Sequence, residues 1–191
     1  MTPKLNINNR AFIKYKFLNS LFLGISIGTY ITIYKPLEMS VYSASGIILA
    51  LLMIIVAKYY HKILNTYYFY KISLFVELII LALICYFLIF SYSYHTSLLV
   101  YIGYQLTFVF GSYLVRAETL ILKNSKILTY IDVAKQTGSL VGMGIAFIFY
   151  QVFEHNLDIN GNEDQVYYIH YLLLLIEILI IWKLRDSFQK S

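Results

Sequence analysis

Two acids, Glu77 and Glu177, stand inside apolar runs, ISLFVELIILALICYFLIF and YYIHYLLLLIEILIIW. A carboxyl taken out of water is paired, protonated, or used to move charge. Glu77 comes six residues after Lys71, and Glu177 six before Lys183. At about 1.5 Å per helical residue, each lies roughly 9 Å inside its basic neighbour, so the two share one depth. Arg116, Asp132 and Lys135 fall just below that depth. Asp132 and Lys135 are three apart and share a helix face. These five residues are expected to form a cytoplasmic charge network. It either closes an inner gate and takes up a proton on Glu77 or Glu177, or simply anchors helix ends, with Arg116 neutralising one buried acid.

Other chemistry has less to stand on. His61, His95, His155 and His170 are dispersed, and no H-x-x-x-H, HExxH or paired acidic motif joins them, so no metal site or cofactor is expected. Ser43, Ser45 and Ser139 lack a Gly-x-Ser-x-Gly setting. Cys85 is alone, which excludes an internal disulfide. The chain is not expected to be an enzyme.

The elements that hold these charges are long and apolar. Of 191 residues, 60% are hydrophobic and 13% charged, with two prolines and a mean hydropathy of +0.68. That pattern predicts an all-α polytopic membrane protein with spans near 17–34, 40–58, 70–92, 97–115, 128–153 and 166–184. Residues 1–16 are then a basic cytoplasmic N-terminus, 17–184 one six-helix domain, and 185–191 a cytoplasmic tail. With the N-terminus inside, all of the 15 Lys and Arg residues except Lys35 fall on inner segments. This one-sidedness is the positive-inside pattern and places both termini in the cytoplasm. The basic charge is spent on topology rather than on one stripe, so no nucleic-acid partner is expected. The location expected is a bacterial cytoplasmic (inner) membrane.

Small residues at four-residue spacing mark helix faces that can approach closely in lipid. The first span has Ser20, Gly24 and Gly28, and the second Gly46, Ala50 and Ala57. The fourth has Gly103, Thr107 and Gly111, and the fifth Ala134, Gly138, Gly142 and Ala146. The third and sixth are bulky all round and are expected at the periphery. The order tight, tight, bulky occurs twice, which predicts two three-helix repeats.

In length, cytoplasmic ends, helix order and the stretch IDVAKQTGSLVGMG, the chain resembles the N-terminal six-helix half of a major facilitator superfamily transporter. Arg116 is similar to an arginine often found at the inner end of that family's fourth helix. The loop between the second and third helices departs from the family's G-x-x-x-D-(R/K)-x-G: Ala57, His61 and Leu64 replace Gly, Asp and Gly, and Lys62 fits. The resemblance implies transport of a small solute by alternating access in a half-size protein. A second copy, or another six-helix half, completes the cavity. It implies a substrate path lined by Tyr30, Tyr104 and Gln105, and a packing or dimer face at Gly138, Gly142 and Ala146 or at Gly46 and Ala50. The alternative function is a non-transporting membrane subunit or assembly factor that docks a larger membrane protein.

Overall fold

The computed structural model describes residues 5–34, 37–156, 159 and 161–190. The chain begins with strand β1 (Leu5–Ile7), helix α1 (Asn9–Ser26) and the short α2 (Thr29–Tyr34). Then come α3 (Met39–Lys58), α4 (Tyr60–Ile63), α5 (Thr66–Ile89), α6 (Tyr94–Val109) and α7 (Gly111–Leu122). The last elements are α8 (Ser125–Asn156), α9 (Asn162–Ser187) and strand β2 (Phe188–Lys190). Polar residues set the helix starts. Asn8, Asn65 and Ser93 each accept a hydrogen bond from the backbone N–H three residues on, at 3.3, 3.1 and 3.0 Å. Between α7 and α8, Lys123 takes a left-handed φ of 47°, and Asn124 accepts from the Lys126 N–H at 3.0 Å.

Among the described residues five stretches are long and apolar enough to cross a bilayer: α3, α5, α6 and α7 together (Tyr94–Leu122), α8 and α9. The expected count of six is corrected at its first member. Residues 17–34 are divided by a turn at 27–28, and α1 starts back at Asn9, taking Arg10, Lys14 and Lys16 into the helix. Phe12 and Tyr15, expected in a cytoplasmic tail, are buried at 0% and 3% exposure. α1 and α2 nevertheless run the length of α9. At one end the Asn8 N–H donates to the Ser187 carbonyl (2.9 Å); at the other, Ile33 packs in a cluster with Val166.

The first and last described strands meet. β1 and β2 pair antiparallel with Asn6 opposite Gln189. Phe188 follows α9 directly and closes this end against Phe12, Phe69 and Tyr70, with ring centroids 6.1, 5.9 and 5.1 Å away.

The fifth expected span, α8, uses its glycines against α1 in the same chain. A Cβ on Gly138 would run into the Phe17 carbonyl oxygen, and one on Gly142 into that of Leu21. A Cβ on Gly24 would strike the Ser139 carbonyl oxygen. Ala146 is buried in the same core. Backbones this close gain dispersion along several turns, the gain available where lipid is as apolar as the side chains.

On the fourth expected span Gly103 and Thr107 are buried, Gly103 against Leu83, but the expectations for the sixth and second spans are overturned. α9, read as peripheral, holds Ile169, Leu173, Ile180 and Leu184 at 0–1% exposure between α1 and α5. α3, read as tight, buries no residue; Gly46 has open space where a Cβ would be, and Ala50 is exposed. Small residues permit close approach but do not compel it. Bulky side chains bury equally well where they interdigitate, so side-chain size alone does not separate centre from edge.

Candidate functional site

The core of the bundle contains a carboxyl pair. Glu77 on α5 and Glu177 on α9 are 2% and 0% exposed, and their carboxyl groups meet side chain to side chain. α1 supplies the donors. Tyr15 donates its hydroxyl to Glu77 Oε1 at 2.6 Å, and Asn19, one turn on, donates Nδ2 to the same oxygen at 3.1 Å. Glu77 Oε2 and both Glu177 oxygens meet no N–H or O–H among the described residues. No Lys, Arg or His there forms an ion pair with either acid. Two facing carboxyl groups attract each other only when one of them carries a proton to donate.

A second polar group lies nearer the chain ends and is fully ionic. Glu118 on α7, 5% exposed, is gripped by Lys16 Nζ of α1 at 2.5 Å and by Lys135 Nζ of α8 at 2.6 Å. Lys135 also reaches Asp132, one helical turn away, at 3.5 Å. Lys16 lies over the Phe12 and Tyr15 rings, 5.4 and 5.3 Å from their centroids, so its stem stays in apolar surroundings while its head reaches Glu118. Tyr15 and Lys16 are adjacent in α1, one touching the acid pair and the other the ionic group.

The expected five-residue network is thus two groups, one of them centred on a residue that the sequence reading missed. Glu77 and Glu177 come together, and Asp132 and Lys135 come together. Arg116 joins neither: it is exposed and its guanidinium lies 5.7 Å from the Tyr60 ring centroid, beside an open groove of about 610 Å³ also lined by Gly111, Val115 and Leu120. The reason is helical phase. Positions 116 and 118 are about 200° apart around α7, so when Glu118 faces α1 and α8, Arg116 faces out. Lys16 carried a usable signal, since a cation inside an otherwise apolar helix calls for an acid on a neighbour.

Two of the expected path residues, Tyr104 and Gln105, are neighbours on α6. Tyr104 packs beside Val100, Ile33 and Phe87 near the far end, while Gln105, next to it, is half-buried with its Oε1 lacking a hydrogen-bond partner. The side chain of Tyr30 lies outside the described residues. Among those described, no three His, Cys, Asp or Glu side chains are grouped to hold a metal ion. His155 and His170 each place Nδ1 on a carbonyl of their own helix, and His61 of α4 places its own on the Lys58 carbonyl at the end of α3.

Compared with known protein families, curated proteins and solved structures, the chain matches none.

Proposed function

We propose that this membrane protein is a half-size transporter of a small solute, working as a homodimer with the Glu77–Glu177 pair as its proton-loading group. The observation that carries this reading is the pattern of helix contacts. α1 packs on α8 as α3 packs on α6; α1 packs on α9 as α6 packs on α5; α2 packs on α9 as α7 packs on α5. Exchanging the set α1, α2, α3, α5 for α6, α7, α8, α9 maps these pairs onto one another, while the lesser contacts of α8 with α7 and α9 and of α2 with α6 have no counterpart of similar extent. The breaks correspond as well: α1 stops after 18 residues and α6 after 16. The contact between α5 and α9, which the exchange maps onto itself, is where the two acids meet. This pairing supports a reading as two repeats, and internal repeats with the site at their interface are a recurring transporter plan.

In this reading Tyr30, Tyr104 and Gln105 line the solute path on α2 and α6. Because α1 occupies the Gly138–Gly142 face, the second copy meets the open Gly46–Ala50 face of α3. The test is uptake from a metabolite mixture into proteoliposomes under an imposed pH gradient. A solute should accumulate with the wild type and fail to do so with Glu177→Gln. In a Cys85→Ser background, Gly46→Cys should cross-link two copies. Uptake that matches protein-free liposomes sinks the transport reading.

The bare α3 equally favours a second reading, docking of a different membrane protein on that face. A native mass spectrum of the protein from mild detergent separates the two: a homodimer supports the first, a complex with another chain the second.

A further inference from the structure

A groove of about 700 Å³ opens where α5 and α9 approach the paired strands. Its chemistry is graded along α9. Ile178 and Ile181 line it on the side of the apolar run, Trp182 follows, and Arg185 closes it one turn later. Tyr70 of α5 and Phe188 of β2 form the opposite wall, their rings tilted against each other with centroids 5.1 Å apart. One acid, Asp186, also lines the groove, but it is held by Lys183 at 2.8 Å, and that ammonium lies 3.8 Å from the Trp182 ring centroid. Arg185 is exposed and has no ion-pair partner among the described residues. An unpaired guanidinium at the end of an apolar groove, beside an interfacial Trp, matches a molecule with a charged phosphate at one end and a hydrocarbon chain at the other.

We infer that this groove binds an anionic phospholipid, its phosphate on Arg185 and the start of an acyl chain along Ile178 and Ile181. The occupant is set by charge complementarity. Lys183 is spent on Asp186, so Arg185 adds a net positive charge at the rim, and a lipid with net negative charge is favoured over a zwitterionic one. The apolar floor distinguishes it from free phosphate, which gains nothing from Ile178 or Ile181. The inference does not depend on what the protein transports or docks.

The test uses the full chain in nanodiscs of equal phosphatidylglycerol and phosphatidylcholine, released for native mass spectrometry of the lipids that stay bound. The wild type should retain phosphatidylglycerol in preference, and Arg185→Gln should lower that preference about fivefold, the effect of one basic residue at an anionic surface. Arg185→Lys should keep part of it. Lys126→Gln, which removes the same charge outside the groove, should leave the ratio unchanged, and circular dichroism shows that each variant is folded. Equal retention of both lipids by the wild type overturns the proposal. So does an equal loss in Lys126→Gln, which would mean diffuse attraction, or displacement of the bound lipid by glycerol phosphate alone, which would mean a phosphate site without a chain site.

Discussion

Glu118→Gln is expected to be among the most damaging single polar substitutions in this bundle. Two ammonium groups sit 2.5 and 2.6 Å from its carboxylate, and the side-chain exposures are 13% for Lys16, 28% for Lys135 and 6% for Glu118. Losing the acid leaves the two lysines unequal. Lys135 keeps Asp132 at 3.5 Å and can turn toward water, whereas Lys16, the more buried of the two, keeps only the longer-range attraction of Glu77. Removing one partner of a buried pair costs about 3–5 kcal/mol, because the charge left behind stays desolvated. Lys16→Met instead leaves Glu118 on Lys135, so it forfeits one charged hydrogen bond, about 1.5–3 kcal/mol. Lys135→Met should cost least, about 1 kcal/mol, since its head is the most exposed of the three. The assay is reversible unfolding in mixed micelles with increasing dodecyl sulfate, followed by circular dichroism for the wild type, the single variants and the Lys16→Met/Glu118→Gln pair. The double variant should recover part of the Glu118→Gln loss, because the stranded cation is gone. If Glu118→Gln falls within about 1 kcal/mol of the wild type, Lys16 reaches water by itself and the buried-network argument is wrong.

Gly142→Ala and Gly46→Ala should differ sharply in the same unfolding assay. The first forces α1 and α8 apart and should cost about 1–3 kcal/mol, while the second enters open space and should stay within about 0.5 kcal/mol; equal effects would contradict the α1–α8 contact. A pH effect is expected at Tyr92, in the turn between α5 and α6, whose hydroxyl donates to the Glu163 carbonyl oxygen. Burial first, then the carboxylates of Glu163 and Asp164, raise its pKa above the ordinary tyrosine value. The folded state therefore holds this proton more tightly than the unfolded chain. The associated stability is complete below the usual tyrosine range near pH ~10 and declines as pH rises beyond it. Tyr92→Phe should lessen the fall in stability seen in thermal melts across alkaline pH; an unchanged slope would refute the assignment.

What the sequence made legible was depth along the membrane normal. Hydropathy and the Lys/Arg distribution are functions of depth, and they placed Glu77 level with Glu177 and Asp132 beside Lys135. Rotation about each helix axis was much less legible. Nothing in the spacing of Arg116 and Glu118 says which of them turns inward, because α7 is flanked by charge on several sides. Lateral position failed for a related reason: a bulky helix such as α9 looks the same from its sequence whether its large side chains meet lipid or interdigitate with α1 and α5. The break at residues 27–28 was also hidden, since Gly24 and Gly28 fit a continuous helical stripe as readily as an interrupted one.

The polar contacts of α1 follow from what its apolar contacts leave undetermined. Gly24 against Gly142, and Gly138 against Phe17, fix how close α1 and α8 lie. Yet a ladder of small residues tolerates a slip of one turn, because the next four-residue step, from Ser20 to Gly24 or from Gly138 to Gly142, presents a similar surface. In lipid no hydrophobic penalty separates the two registers. A slip would carry Tyr15 about 5.4 Å from Glu77 and Lys16 the same distance from Glu118, stranding a buried carboxyl and a buried cation together. Two consecutive residues thus lock α1 to α5 through one and to α7 through the other. Buried charge here is expected to serve register as well as stability.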